Sequence, residues 1–234
     1  MTARPLYTKS ENLGLSKTER LPTGKMKLYT TTGTVKLRER CNDLDVGLMM
    51  VNHWRNPEQW SYFAIDNGCY SAFAQKKQWT PKEFLNILYK CRMLGLIPDF
   101  VIIPDIVAGG KESLRKSEIW GEMLNYEFPE YPLYLAVQDG ITIEDVDQSP
   151  VTELIDGIFV GGSMDWKIEH IAYWVGYAHT HGLRCHIGRI GTLDRMMKAK
   201  LEGADSIDST SWVQNKGWME TRVAAYRELE EESS

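Results

Sequence analysis

Short apolar runs alternate with amphipathic stretches along most of the chain. Eight of these runs have the length and composition of buried strands. They are Lys27–Thr30, Val46–Val51, Tyr62–Ile65, Phe100–Ile103, Leu133–Val137, Gly157–Val160, Arg184–Ile187 and Asp205–Ile207. In several of the gaps the apolar positions recur three or four residues apart, which is the spacing of a helix face. The pattern therefore predicts strands and helices in alternation.

Helix boundaries can be proposed for several of the gaps. Thr80-Pro81-Lys82-Glu83 has the form of a capping box with proline at the first helical position, and an apolar face begins at Phe84. Further helical patterns precede Pro129, end at Gly182, begin after a capping Thr192 and cover Trp218 to Leu229. We expect these segments to form the outer layer of the domain.

Alternation of this kind implies a parallel sheet. An open doubly wound sheet shows the same alternation, but eight strand segments favour a closed barrel, and no G-x-G-x-x-G follows the first strand. The predicted fold class is α/β, a single (β/α)8 TIM-like barrel over residues 25–234, preceded by an extended N-terminal arm over residues 1–24. The connections after the first two strands look too short for full helices, so we expect an irregular barrel there.

Composition restricts the classes of function. The 234 residues fit one barrel domain. No run of about 18 apolar residues is present to span a membrane, and the N-terminus lacks the apolar core of a secretory signal. A cytoplasmic protein without a membrane partner is expected. Cys41, Cys69, Cys91 and Cys185 are isolated and suggest buried thiols rather than disulfides or a zinc knuckle.

The charge is unevenly distributed. The net charge of −5 does not indicate a nucleic-acid partner, yet eight basic residues stand against three acidic ones between Lys9 and Arg40. A basic arm can contact phosphates. The alternative is an ordinary solvated surface, and the sequence leaves both open.

Polar residues and glycine follow each of the last six strand segments. The six ends are Asp66-Asn67-Gly68, Pro104-Asp105, Gln138-Asp139-Gly140, Gly161-Gly162-Ser163, His186-Ile187-Gly188-Arg189 and Asp208-Ser209-Thr210. One such residue shows little, because Asp, Asn and Gly are common in any loop. Six such strand ends in succession lie where barrel enzymes build their sites. Carboxylates that converge on one mouth repel each other, so their presence together indicates a functional site. Residue types and positions indicate a barrel enzyme that uses carboxylates.

Two carboxylates with separate duties suit glycosidic chemistry, in which one captures the sugar carbon and the other moves protons. Gln138 and Asp105 can read the edge of a flat heterocycle, and Gly161 and Gly162 let backbone approach such a ring. A hydrolytic metal centre built from Asp66, Asp105, His186 and Asp208 is an alternative that no ligand spacing supports. We expect no metal and no cofactor.

Six ordered blocks resemble the tRNA-guanine transglycosylase superfamily. They are Ala64-Ile65-Asp66-Asn67-Gly68, Ile103-Pro104-Asp105-Ile106-Val107, Val137-Gln138-Asp139-Gly140, Phe159-Val160-Gly161-Gly162-Ser163, His186-Ile187-Gly188-Arg189-Ile190-Gly191 and Gly203-Ala204-Asp205-Ser206-Ile207-Asp208-Ser209. The resemblance runs from about Met49 to Trp212. In particular, the chain looks like the short DNA-directed branch of this superfamily, often encoded by phages, which inserts 7-deazaguanine bases into DNA.

The resemblance implies a role for each matching residue. Asp208 would be the nucleophile that attacks C1′ and forms a covalent sugar–enzyme intermediate, and Asp66 would serve in proton transfer. The base would be bound by Asn67, Asp105, Gln138, Gly161, Gly162, His186 and Gly188, with the segment from His186 to Gly191 as one wall of the pocket.

Departures from the family pattern shape the functional expectation. The residues after Asp208 lack the Cys/His zinc site of the tRNA enzymes, and Asn67 and Cys69 replace part of the usual Ser-Gly-Gly. We therefore expect a DNA guanine transglycosylase whose partners are DNA and a free 7-deazaguanine base, the 7-cyano or 7-aminomethyl form. The alternatives are the same chemistry on tRNA, a catalytically silent nucleic-acid-binding barrel, and the metal-dependent hydrolase. A homodimer or a second subunit is left open.

Overall fold

The fold is described from a computed structural model, which covers residues 25–31 and 34–232. The arm expected over residues 1–24 lies outside this range, and so does part of the basic segment between Lys9 and Arg40.

Eight parallel strands close into a barrel within the described residues. Each strand is hydrogen-bonded to the next in chain order, and the last pairs with the first. The strands are β1 (Lys27–Thr30), β2 (Val46–Met50), β3 (Phe63–Ile65), β4 (Val101–Ile102), β5 (Leu133–Val137), β6 (Gly157–Val160), β7 (Arg184–Ile187) and β8 (Ser206–Asp208). The predicted α/β class and (β/α)8 TIM-like barrel are confirmed. The last strand is shifted by one residue from its predicted bounds, so that β8 ends on Asp208 itself.

Helices cover the outside of the barrel. They are α1 (Val35–Asp43), α2 (Cys69–Ala74), α3 (Lys82–Met93), α4 (Lys111–Glu127), α5 (Ile143–Asp147), α6 (Met164–Thr180), α7 (Leu193–Leu201), α8 (Ser211–Gln214) and α9 (Ala225–Glu232). Short 3₁₀ turns lie at Pro57–Gln59 and Pro150–Leu154, and a π-helical turn at Met219–Ala224 leads into α9.

The expected irregularity of the first two units is restricted to the second. Only the 3₁₀ turn Pro57–Gln59 follows β2, whereas β1 is followed by the nine-residue helix α1. Cys41 is the one residue that this nine-residue helix buries, so the helix lacks the broad apolar stripe that reveals a helix in a sequence. The side chain of Thr34 caps its N-terminus by accepting a hydrogen bond from the amide of Leu37.

Two expected side-chain capping hydrogen bonds are not formed. Pro81 has φ −74° and ψ −9°, so it already occupies the helical region and becomes the cap residue of α3, without a capping side chain. The hydroxyl of Thr80 instead donates to the side chain of Glu83 at 3.4 Å. Thr192 is the cap residue of α7, as predicted, but its side chain makes no capping hydrogen bond.

The barrel interior is filled by side chains. A layer of Tyr29, Met49, Ala64, Phe100, Ile102, Tyr134 and Ala136 occupies it, while a larger apolar core packs between strands and helices. All four cysteines are buried and free, as predicted. No helix in the described part of the chain has the length and apolar character needed to cross a membrane. Met49, Ile102 and Ala136 of this layer also line the cavity described below.

Candidate active site

A cavity of about 860 Å³ opens at the C-terminal end of the barrel strands. Its volume lies in the range of roughly 300–1,000 Å³ that is typical of small-molecule sites. Seven of the nine residues expected in the site line it: Asp66, Asn67, Asp105, Gln138, Gly161, Gly162 and Asp208. Because all strands of the barrel end at this mouth, the cavity brings together residues that lie up to 142 positions apart (66 to 208) in the chain.

The two other expected residues lie beneath the cavity rather than in its wall. His186 is fully buried and stacks on Phe159 with ring centroids 5.0 Å apart. Gly188 also faces Phe159, since a Cβ at this position would come within 2.6 Å of that ring. Alternate residues of a barrel strand face the interior, and both residues have this orientation. The end of β7 reaches the cavity through Arg189 instead.

Asp208 is held by two hydrogen bonds to one of its oxygens. Its Oδ1 lies 3.1 Å from Nε2 of His186 and accepts a hydrogen bond from the amide of Arg189 at 3.0 Å. Nδ1 of His186 lies 2.8 Å from the hydroxyl of Ser206. Burial lowers the pKa of His186, so a neutral imidazole donates from Nε2 to the carboxylate and accepts at Nδ1. This leaves Oδ2 of Asp208 to meet a ligand.

Asp66 has a different environment from Asp208. Its Oδ1 accepts a hydrogen bond from the amide of Gly68 at 2.6 Å. Burial raises the pKa of Asp66 to about 7, and the charges of Asp208 and Asp105 act in the same direction. A carboxyl group with a pKa near the working pH can both give and take a proton, which is what general acid–base catalysis requires.

Asp105, Asn67 and Gln138 form one network in the cavity. Asn67 donates to Oδ1 of Asp105 at 3.0 Å and to the carbonyl of Ile103 at 2.9 Å. The amide nitrogen of Gln138 donates to the carbonyl of Ile106 and to the hydroxyl of Ser113, both at 2.8 Å. The protein thus uses the amide nitrogens as donors, and both oxygens of Asp105 accept from them, Oδ2 from Nε2 of Gln138 at 3.5 Å. Each carboxylate oxygen can accept a second hydrogen bond, and together with the side-chain oxygen of Gln138 they suit a ligand with neighbouring N–H donors.

Asp105 is not a simple surface carboxylate. Burial raises its pKa, while the hydrogen bond from Asn67 and the charge of Lys116 oppose this effect. Lys116 also donates to the backbone carbonyl of Asp105 at 2.8 Å and lies over the ring of Trp79. The two neighbours hold Asp105 in place and offset part of the cost of burying its charge.

Two further residues were not assigned a role from the sequence. Arg189 lines the cavity, and a basic residue at the end of the seventh strand was a usable signal for it. Lys167, in α6, is fully buried and donates a hydrogen bond to the carbonyl of Gly188. Nothing in the sequence distinguishes Lys167 from a solvent-exposed lysine, because its burial depends on how α6 packs against the end of β7.

Asp139 has a structural role at the rim. Its carboxylate accepts hydrogen bonds from the amide and the hydroxyl of Ser163, each at 2.7 Å, just before α6 begins. A carboxylate at this position satisfies free amides and complements the helix dipole. The loop that carries Gly161 and Gly162 is thereby tied to the end of β5.

The carboxylates of the cavity do not converge as metal ligands do. Within residues 25–31 and 34–232, no group of three or more His, Cys, Asp or Glu side chains is arranged to hold a metal ion. His186, which the hydrolase alternative would use as a ligand, directs its Nε2 to Asp208.

Comparison with models of known protein families gives no match for this chain, and comparison with curated proteins gives none. The interpretation of the cavity therefore rests on its own residues. It combines a carboxylate held by two donors, a second carboxyl with a pKa near 7, and a set of acceptors that suits a ligand with adjacent N–H groups.

Proposed function

We propose that this protein is a base-exchanging glycosyltransferase that replaces guanine in DNA with a 7-deazaguanine base. The observation that carries the proposal is the presence, in one cavity, of two aspartates in contrasting environments. Asp208 is held as a hydrogen-bonded carboxylate, and Asp66 has a pKa of about 7. Pairs of carboxyl groups with separated properties are the usual means of dividing nucleophilic and acid–base duties.

In the first step, Oδ2 of Asp208 attacks C1′ of the target nucleotide. The bond between C1′ and N9 of guanine breaks, its electron pair leaves with the base, and protonated Asp66 supplies a proton to the departing guanine. The products are a covalent ester between Asp208 and the sugar, free guanine, and ionised Asp66.

In the second step, a free 7-deazaguanine occupies the place that guanine has left. Ionised Asp66 accepts the N9 proton of the incoming base, N9 attacks C1′, and the ester bond to Asp208 breaks. Asp208 returns to its carboxylate form, and Asp66 is protonated again. Two displacements at C1′ retain its configuration.

The donors to Asp208 have a use in both steps. The hydrogen bonds from His186 and from the amide of Arg189 engage Oδ1, which orients Oδ2 towards the sugar. They also stabilise the carboxylate that leaves in the second step. Because burial keeps His186 neutral, it holds Asp208 without protonating it.

Base recognition follows from the acceptors of the cavity. Guanine and 7-deazaguanines present the same N–H donors on N1 and on the exocyclic amine. These match the acceptor oxygens of Asp105 and Gln138, and the amide nitrogen of Gln138 is already engaged as a donor with the protein. One pocket can therefore accept both the leaving and the entering base. A base in a duplex must leave the stack first, which costs a few kcal/mol.

The proposal is tested by incubating the protein with DNA and labelled 7-deazaguanine. Label should enter the DNA, and Asp208→Asn should reduce the rate by at least about 10⁴-fold, because the nucleophile is lost. Asp43→Asn, which changes an exposed carboxylate on α1, is the matched control and should retain full activity. Intact-mass analysis should detect a protein–DNA adduct only when Asp208 is present.

Further arms of the same assay separate the alternatives. Binding of DNA without incorporation of label indicates a silent binding barrel, and preference for tRNA in a mixed reaction indicates the RNA-directed reaction. Loss of activity on treatment with a chelator indicates a metal-dependent enzyme. Incorporation that survives Asp208→Asn removes Asp208 from its proposed role.

A further inference from the structure

Arg189 has an unusual backbone conformation next to Asp208. Its φ is +59°, a left-handed value that is uncommon for a residue with a side chain. Three hydrogen bonds fix this turn: its own amide donates to Oδ1 of Asp208 at 3.0 Å, the amide of Ile190 donates to the carbonyl of Asp208 at 2.7 Å, and Lys167 donates to the carbonyl of Gly188. Glycine would adopt this conformation without strain, so the arginine side chain needs a purpose.

The guanidinium of Arg189 is held between two sides of the cavity. It lies over the ring of Tyr70 on α2, 4.2 Å from the ring centroid, and one nitrogen donates to the carbonyl of Gly162 beyond β6. Within the described residues it forms no ion pair with a carboxylate. A guanidinium has five N–H donors in a planar fork, so most of them are left for a ligand while the plane of the group is already set.

The charge of the cavity shows why one cation matters. Four carboxyl side chains line it, those of Asp66, Asp105, Asp139 and Asp208, and among the described lining residues Arg189 is the one Lys, Arg or His. A polyanion that delivers its sugar to this mouth meets repulsion from the carboxylates. Arg189 offers the compensating positive charge, at the residue whose amide already holds the nucleophile.

We propose that Arg189 binds a phosphodiester that flanks the reacting nucleotide. The inference rests on the proposed function, because attack on C1′ by Oδ2 of Asp208 places the sugar next to Arg189. The flanking phosphates are attached to O3′ and O5′ of that sugar, only a few bonds from C1′. A planar guanidinium binds two phosphate oxygens at once. The protein thereby selects a nucleotide within a strand over a free nucleoside.

The test uses neutral phosphate analogues. Labelled single-stranded DNA with one guanosine is prepared with a methylphosphonate at the 5′ or the 3′ linkage of that nucleotide, and Kd is measured by fluorescence anisotropy in the Asp208→Asn protein, which blocks chemistry. Adding Arg189→Gln to this parent should weaken binding of the all-phosphate strand about tenfold, and it should lower the slope of log Kd against log salt by about one. With one of the two linkages neutralised, the difference in Kd between the parent and the Arg189→Gln variant should disappear.

Two further variants keep the test decisive. Arg184→Gln removes an exposed arginine at the opposite end of the same strand, and it should bind every strand as the parent does. Arg189→Lys keeps the charge but loses the fork, so it should bind with intermediate affinity and remain sensitive to the same linkage. Thermal denaturation of each variant verifies that it is folded.

The proposal is overturned if Arg189→Gln binds the all-phosphate strand as tightly as its parent, or if its loss is the same at every neutralised linkage. The incorporation assay on the same DNA reports on the proposed function separately. Incorporation combined with indifference to the linkage overturns the phosphate site alone. Linkage-dependent loss without incorporation supports the phosphate site and overturns the exchange reaction alone.

Discussion

At the scale of single residues, the site depends on the different surroundings of two similar side chains. Asp66 and Asp208 face the same cavity, but burial raises the pKa of Asp66 to about 7, while Asp208 is held by two donors. The raised pKa means that the folded protein binds a proton which the unfolded chain releases above about pH 4. With respect to Asp66 the fold is therefore most stable below about pH 4, and it loses stability as the pH rises towards 7, because burial opposes ionisation of this side chain.

Asp66→Asn should remove this pH dependence. We expect the variant to be more stable than its parent at pH 8, by on the order of 4 kcal/mol, and no more stable at pH 4, because asparagine cannot ionise. Urea denaturation at both pH values measures the difference. Base exchange should be lost at every pH. A stability difference that is the same at both pH values would show that Asp66 does not titrate as described.

At the scale of elements, α6 and the end of β7 are joined through a buried lysine. Lys167 donates to the carbonyl of Gly188, and the next residue donates its amide to Asp208. Burial lowers the pKa of Lys167 to about 7, and the charge of Arg189 acts in the same direction. A lysine with a lowered pKa costs stability as the pH falls from about 10 towards 7, since the folded protein resists charging it. The contact between α6 and the end of β7 is thus maintained although burying Lys167 lowers the stability of the fold near neutral pH.

Lys167→Met should separate the effect of the buried charge on stability from the effect of the hydrogen bond to Gly188 on the turn. It removes the buried charge, so the free energy of unfolding at pH 7 should stay the same or rise by about 1 kcal/mol. It also frees the turn that orients Asp208, so kcat for base exchange should fall about tenfold while KM changes little. Steady-state kinetics and thermal denaturation give both values. If the variant is less stable and both its kcat and its KM are impaired, Lys167 supports packing and does not position the turn.

At the scale of the whole molecule, α9 closes the end of the barrel opposite the cavity. Arg227 donates to the backbone carbonyls of Met26, Leu44 and Asp45 and to the carboxylate of Glu230. Glu230 in turn accepts the amide of Met26 at 3.1 Å. These bonds join the last helix to the chain just before β1 and just before β2. Both charges are buried and paired.

Arg227→Met should destabilise the fold by about 3–5 kcal/mol, because it leaves the Glu230 carboxylate and three carbonyls with fewer partners in a buried place. Arg40→Met is the matched control, since its ion pair with Glu220 is exposed. It should cost no more than about 1 kcal/mol. Urea denaturation compares the two, and the activity of each folded variant should equal that of the parent. Equal losses would contradict a special role for the buried pair.

Local pattern was enough to determine the barrel and the rim of the site. Strand segments were recognisable because each is a short apolar run, and their alternation with helices implied a parallel sheet. Asp66, Asp105, Gln138 and Asp208 could be placed in one site because all strands of such a barrel end at the same mouth. The helix α1 escaped prediction because it faces solvent and buries little.

Other properties were decided only by the tertiary structure. Whether His186 lines the cavity or supports Asp208 from beneath depends on which way its strand faces, and Lys167 is buried because a distant helix packs over the end of β7. The raised pKa of Asp66 arises from burial and from charges on other strands. These quantities depend on distances between residues far apart in the chain, and no periodicity along the sequence records them.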